Sequence, residues 1–81
     1  MDPVKVLQRA YQDELLDALR AEGAAQGVPY PHVRALLLEV ARRERAHAEA
    51  LAEALRRRGA PLPPTPKPEE GGGETRLRLL S

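Results

Sequence analysis

The sequence predicts an all-α fold, an antiparallel helical hairpin that dimerises into a four-helix bundle. Three observations predict it. The composition favours helix: Ala, Leu and Arg dominate, Cys, Trp and Phe are absent, and Tyr11 and Tyr30 are the only aromatic residues. Apolar residues recur in steps of three and four along two stretches, about 3–26 and 31–58. Between them lies only Gly27-Val28-Pro29-Tyr30-Pro31, a connection so short that the two helices must be antiparallel neighbours.

The first helix opens at Asp2-Pro3, where Asp caps the free N–H groups and Pro occupies a position that needs no donor. Its seam reads Val4, Leu7, Tyr11, Glu14, Ala18, Ala21, Ala25, with one carboxylate among apolar residues. Leu15, Leu16 and Leu19 widen the apolar surface, as a helix with more than one neighbour requires. Gly23 and Gly27 weaken its end, and the two prolines stop it.

The second helix starts near Pro31, with His32 as an exposed first-turn residue. Val33, Leu37, Val40, Glu44, His47, Leu51, Ala54 and Arg58 form an unbroken three-and-four pattern, which predicts that this stripe is the buried seam. Glu44-x-x-His47 lies at its middle, and the two side chains share one face. Arg42, Arg43, Arg45, Glu49, Glu53, Arg56 and Arg57 make a solvated face. The pairs Arg45–Glu49 and Glu53–Arg57 are expected there at i,i+4, each contributing roughly a few tenths of a kcal/mol.

Gly59 is a natural helix end. Residues 60–73 then read as a linker, with Pro61 to Pro68 a stiff polyproline-type spacer and Glu69 to Gly73 flexible. Residues 74–81 alternate Arg76, Leu77, Arg78, Leu79 in the period of a strand and are expected to form an extended docking tail. The hairpin itself is expected over 1–59.

A chain of 81 residues builds only a small core, so self-association is expected. The net charge of +1 arises from interspersed signs with no basic stripe, which argues against a nucleic-acid partner. No apolar run approaches the roughly 18 residues of a membrane span, so no membrane partner and a cytoplasmic location are expected. Without Cys there is no disulfide framework and no thiolate-bound zinc or iron.

Glu14 and Glu44 lie about 15 residues to either side of the turn centre, roughly 22 Å along each helix, and are therefore level. With His47 they place three ionisable groups in one layer of an apolar seam, where unpaired carboxylates cost several kcal/mol, roughly. Pairing two hairpins doubles the set to two Glu14, two Glu44 and two His47. Oxygen and imidazole donors of this kind suit iron or manganese, and zinc can occupy them. Tyr11, one turn before Glu14, is either a ligand-bonding or electron-accepting group or a plain core aromatic.

The run Glu44-Arg45-Ala46-His47-Ala48 resembles the rubrerythrin-type helix motif, and the chain resembles ferritin-like proteins. Its single helix pair, the 30-residue separation of Glu14 from Glu44, and the stretch from Ala35-Leu36-Leu37-Leu38 to Leu55-Arg56-Arg57-Arg58 are most similar to the encapsulated ferritins. Those are half-ferritins whose subunits pair to form a di-iron ferroxidase centre. The resemblance runs from Leu7 to Arg58.

It implies that Glu14, Glu44 and His47 are the metal ligands and catalytic residues. It also implies iron at two per dimer and oxidation of Fe(II) by dioxygen or peroxide. A homodimer or higher oligomer follows, with an encapsulating shell protein as a partner for the tail and a place inside a nanocompartment. The chain departs from the family beside the first-helix ligand. Asp13 keeps one acid of the iron-uptake region, but Leu16 replaces another, and Arg20 and Ala21 replace an aromatic pair. The residues alone also allow a metal-free helical interaction module, or a structural zinc or manganese site in the same bundle.

Overall fold

The computed structural model describes residues 1–67 as a hairpin of two helices, α1 over Pro3–Gly27 and α2 over Pro31–Arg57. The expected cap is formed: Asp2 Oδ1 accepts from the Val4 N–H at 2.9 Å, and Pro3 takes the first helical position. No side chain caps α2. Instead the Arg34 N–H donates to the Tyr30 carbonyl at 2.9 Å, and the Arg34 guanidinium reaches back to the Val28 carbonyl at 3.0 Å, fastening the connection to the helix it feeds.

At the far end of α2, Gly59 has a φ of 65°, a left-handed conformation that glycine adopts without a Cβ clash. The Gly59 N–H donates to the Arg56 carbonyl at 2.9 Å and the Ala60 N–H to the Leu55 carbonyl at 3.0 Å, a Schellman motif that ends the helix and reverses the chain.

The interior is built mostly from alanine. Ala18, Ala21, Ala24 and Ala25 of α1 are buried, as are Ala41, Ala48 and Ala52 of α2, with Leu15 and Leu55 as the larger side chains. Small residues let two helices close on each other, and among the described residues Leu55 is the largest fully buried side chain.

This overturns the expected seam of α2. The face turned to α1 is 41, 48, 52, 55, one residue or about 100° around the helix from 40, 47, 51, 54. Val33 is 45% exposed and Val40 38%, while Leu37, Glu44, Leu51 and Ala54 are half-buried. The physical reason is size: the gap within a two-helix layer takes alanine, and the branched Leu/Val stripe is left on the flank. Among the described residues no polar or charged side chain is buried, so one chain alone does not bear the desolvation cost expected for its carboxylates.

The charges are also arranged differently. Arg45 does not pair with Glu49; it crosses the hairpin to Glu22 in a bidentate contact, Nε and Nη2 at 2.8 and 2.7 Å from the two carboxylate oxygens. Glu49 instead accepts from Arg56 at 2.9 Å. Glu53 and Arg57 pair as expected, at 3.4 Å.

The first part of the linker is not a free spacer. Residues 60–67 turn back along α1, where Gln8 Nε2 donates to the Pro61 carbonyl at 3.0 Å and Gln12 Nε2 to the Pro64 carbonyl at 3.4 Å. The remaining linker, 68–73, and the expected docking tail, 74–81, lie outside the described residues.

Candidate metal centre

Helical spacing puts Glu14 on one flank of α1, with Glu44 and His47 on the facing flank of α2. The antiparallel register then brings Glu14 Oε2 to 3.7 Å from His47 Nδ1. The pair sits at the edge of the helix interface: the Glu14 side chain is 33% exposed and that of His47 67%. Glu44, one turn before His47 on the same side, is half-buried. His32 is exposed at the start of α2, away from this group.

Within one chain the donor set is incomplete. Among the described residues no group of three or more His, Asp or Glu side chains is close enough to hold a metal ion. Chemically, Glu14, Glu44 and His47 offer carboxylate oxygen and imidazole nitrogen with no thiolate, a set that fits iron, manganese or zinc.

The surface around these residues is apolar. Val33, Leu36 and Val40 are exposed, and half-buried Leu37, Leu51 and Ala54 extend the same stripe along α2. The other flank of the hairpin differs. Tyr11, Leu15 and Leu19 of α1 and Arg45, Ala48 and Glu49 of α2 line a groove there that Thr65 of the returning chain also lines. Tyr11 thus faces the groove on the far side from His47, which places it with the linker.

Elsewhere on the hairpin, carboxylates are held by arginines. The hydrogen bonds from Arg45 lower the pKa of Glu22, and Glu22 in turn raises that of Arg45. On the solvent face of α2 the Arg42 guanidinium, with help from Arg43, holds Glu39 down to about 2. These carboxylates are committed to arginines, whereas Glu14 faces an imidazole.

Sequence reasoning missed the cross-hairpin pair Glu22–Arg45 and the two glutamines that hold the linker. The i,i+4 spacing of Gln8 and Gln12 is the one signal that could have pointed to the second, because it aligns two amide donors in a row.

A family model described as Rubrerythrin matches residues 5–76, a span that takes in Glu14, Glu44 and His47. No curated protein and no solved structure matches the chain. Among the described residues no helix is long and apolar enough to cross a membrane.

Proposed function

This chain belongs to the rubrerythrin family, a ferritin-like di-iron family, and on that premise we propose that it is a di-iron carboxylate protein that oxidises Fe(II) at a site shared by two copies. The observation that carries the reading is the approach of Glu14 to His47, 3.7 Å, on the flank opposite residues 60–67. A second copy placed on that flank by a two-fold axis contributes the same residues again, giving two Glu14, two Glu44 and two His47.

Such pairing buries Val33, Leu36 and Val40, which are exposed in the single chain. It also removes Glu14 and Glu44 from water. Carboxylates gathered in an apolar layer demand a cation, and divalent metal is the cation their number fits.

In this reading Glu14, Glu44 and His47 of the two copies would together hold two irons per dimer. Bound iron would supply the redox chemistry, with dioxygen or peroxide as the oxidant. The protein's own part is to hold Fe(II) with carboxylate and imidazole, and to keep the layer closed to bulk water by the Leu and Val residues on either side. Manganese or zinc in the same donors is the structural variant of this reading. A cytoplasmic setting, with residues 74–81 docking on an encapsulating shell protein, follows from the same resemblance and from the Arg/Leu alternation of the tail.

A metal-free interaction module is the second reading, favoured by the lack of a three-donor group among the described residues of one chain. Anaerobic Fe(II) titration of the full chain, with native mass measured in parallel, separates the two. The di-iron reading expects saturation near one iron per chain, no uptake by Glu14→Ala, and ferric absorbance on admission of dioxygen. Dimeric protein that binds no iron overturns it. Retention of zinc or manganese in place of iron, read by elemental analysis, assigns the structural variant. A melting temperature indifferent to chelator supports the interaction module.

A further inference from the structure

We propose that residues 60–67 form a fixed strap that closes one side of the hairpin, so that a second copy can pair only through the side bearing Glu14, Glu44 and His47. The choice of pairing side rests on the shared-site reading above; the strap itself rests on contacts within one chain.

Both helices independently put the strap and the candidate ligands on opposite sides. On α1 the strap is held by Gln8 and Gln12, in the row that continues to Leu15 and Leu19. Glu14 follows Gln12 by two residues, about 200° around the helix. On α2 the strap-side groove is lined by Glu49, two residues or about 200° from His47. A hairpin layer has two open sides, and the strap lies over one of them.

The segment is chemically suited to stay there. Pro61, Pro63, Pro64 and Pro66 have no backbone N–H, so they bring no donor that burial would leave unpaired, only carbonyl acceptors. In a polyproline-type chain, carbonyls three residues apart point the same way, roughly 9 Å from one another. Gln8 and Gln12, about 6 Å apart along one row of α1, present amide donors that reach both. A proline-rich segment is stiff before it docks, so ordering it costs less entropy than ordering an ordinary loop. The left-handed Gly59 and the Schellman turn point the chain toward α1 at the start.

The consequence is a rule of assembly. Without the strap, Tyr11, Leu15, Leu19 and Ala48 would be uncovered beside Arg45 and Glu49, a second side of mixed apolar and charged character, and a layer that can associate through both sides stacks without limit. With one side closed, association through the other is isologous and stops at a closed pair.

The test uses the full chain. It has no cysteine, so Glu49→Cys with Thr65→Cys introduces the only thiols, both in the strap-side groove. A short bis-maleimide should link them within one chain, independently of protein concentration. Adding Gln8→Glu and Gln12→Glu, which turn carboxylates toward the Pro61 and Pro64 carbonyls, should slow that cross-link about 10-fold. The same released variant should form species larger than the parent, growing with concentration in native mass spectra. Cross-linking the strap before raising the concentration should restore the parent mass. Gln8→Ala with Gln12→Ala repeats the test without added charge.

Failure of the parent cross-link, or a released variant whose mass distribution matches the parent at every concentration, overturns the proposal. A parent that stays monomeric while the released variant self-associates supports the strap and counts against the shared site. A dimeric, iron-binding parent whose released variant is unchanged does the reverse.

Discussion

Glu14 and His47 meet at 3.7 Å across the hairpin although His47 is not on the stripe of α2 that packs against α1. Ala48, its neighbour in sequence, is the residue that faces inward. One helix therefore carries two adjacent apolar stripes with separate tasks. The alanine stripe closes the hairpin, and the Leu/Val stripe flanking His47 is the one on which the proposed pairing rests. Substitutions on the two stripes should accordingly have different effects.

On the inner stripe, Ala52→Leu adds three carbons at a position that is 1% exposed. The helices cannot separate locally without opening the alanine contacts on either side, so the change should destabilise by about 1–3 kcal/mol. A lower midpoint in urea with an unchanged slope is the expected readout. Leu55→Ala, at a fully buried position, should cost about 2–5 kcal/mol by the opposite route, a cavity.

On the outer stripe, Leu36→Glu alters a residue that is 64% exposed in the single chain. Hairpin helicity by circular dichroism should be retained. Pairing should be lost, because the charge would have to enter the apolar contact between copies. Iron uptake should fall with it, since neither copy alone holds a complete donor set among its described residues. A dimer of normal mass from this variant would show that pairing uses another face.

Much of the fold was legible in the sequence because its signals are local. Asp2-Pro3, the prolines after Gly27 and Gly59 each act within a turn, and they mark the observed helix ends to within a residue. The approach of Glu14 to His47 was also legible, since a short connection fixes register. What the pattern could not settle is which of two neighbouring stripes faces inward. Leucine and valine dominate any hydrophobic reading of α2, yet the interior of a two-helix layer is narrow and selects alanine. The linker contacts and the Arg45–Glu22 pair were hidden because a glutamine or an arginine on a helix surface looks alike whether its partner is water or a distant segment.

The Glu22–Arg45 pair makes a prediction about acid. Its hydrogen bonds hold the Glu22 pKa below the ordinary 4.5, so between the two values the unfolded chain binds more protons than the folded one. The contribution is then fully present above the ordinary value and is lost as pH falls through the lowered one. Both side chains are more than a third solvent-exposed or nearly so, which limits the pair to about 1 kcal/mol or less. Glu22→Gln should lower the melting temperature at neutral pH and flatten its fall below pH 4.5. High salt should shrink the difference between the variant and the parent.

Glu14→Gln provides the sharpest contrast between metal-loaded and metal-free protein. In a paired bundle without metal, the carboxylates of both copies share one layer, and their mutual repulsion opposes pairing. Replacing Glu14 by the isosteric neutral amide relieves part of that repulsion, so the metal-free variant should melt no lower than the parent, or higher. With metal the order should reverse. The parent gains stability as the ligand concentration exceeds its dissociation constant, about 2.7 kcal/mol at a hundredfold excess, while the variant has surrendered a ligand and gains far less. Melting curves of both proteins, with chelator and with Fe(II) under anaerobic conditions, measure the crossing directly. Parallel curves, with the variant below the parent by the same amount in both conditions, would mean that Glu14 serves the hairpin through His47 and holds no metal.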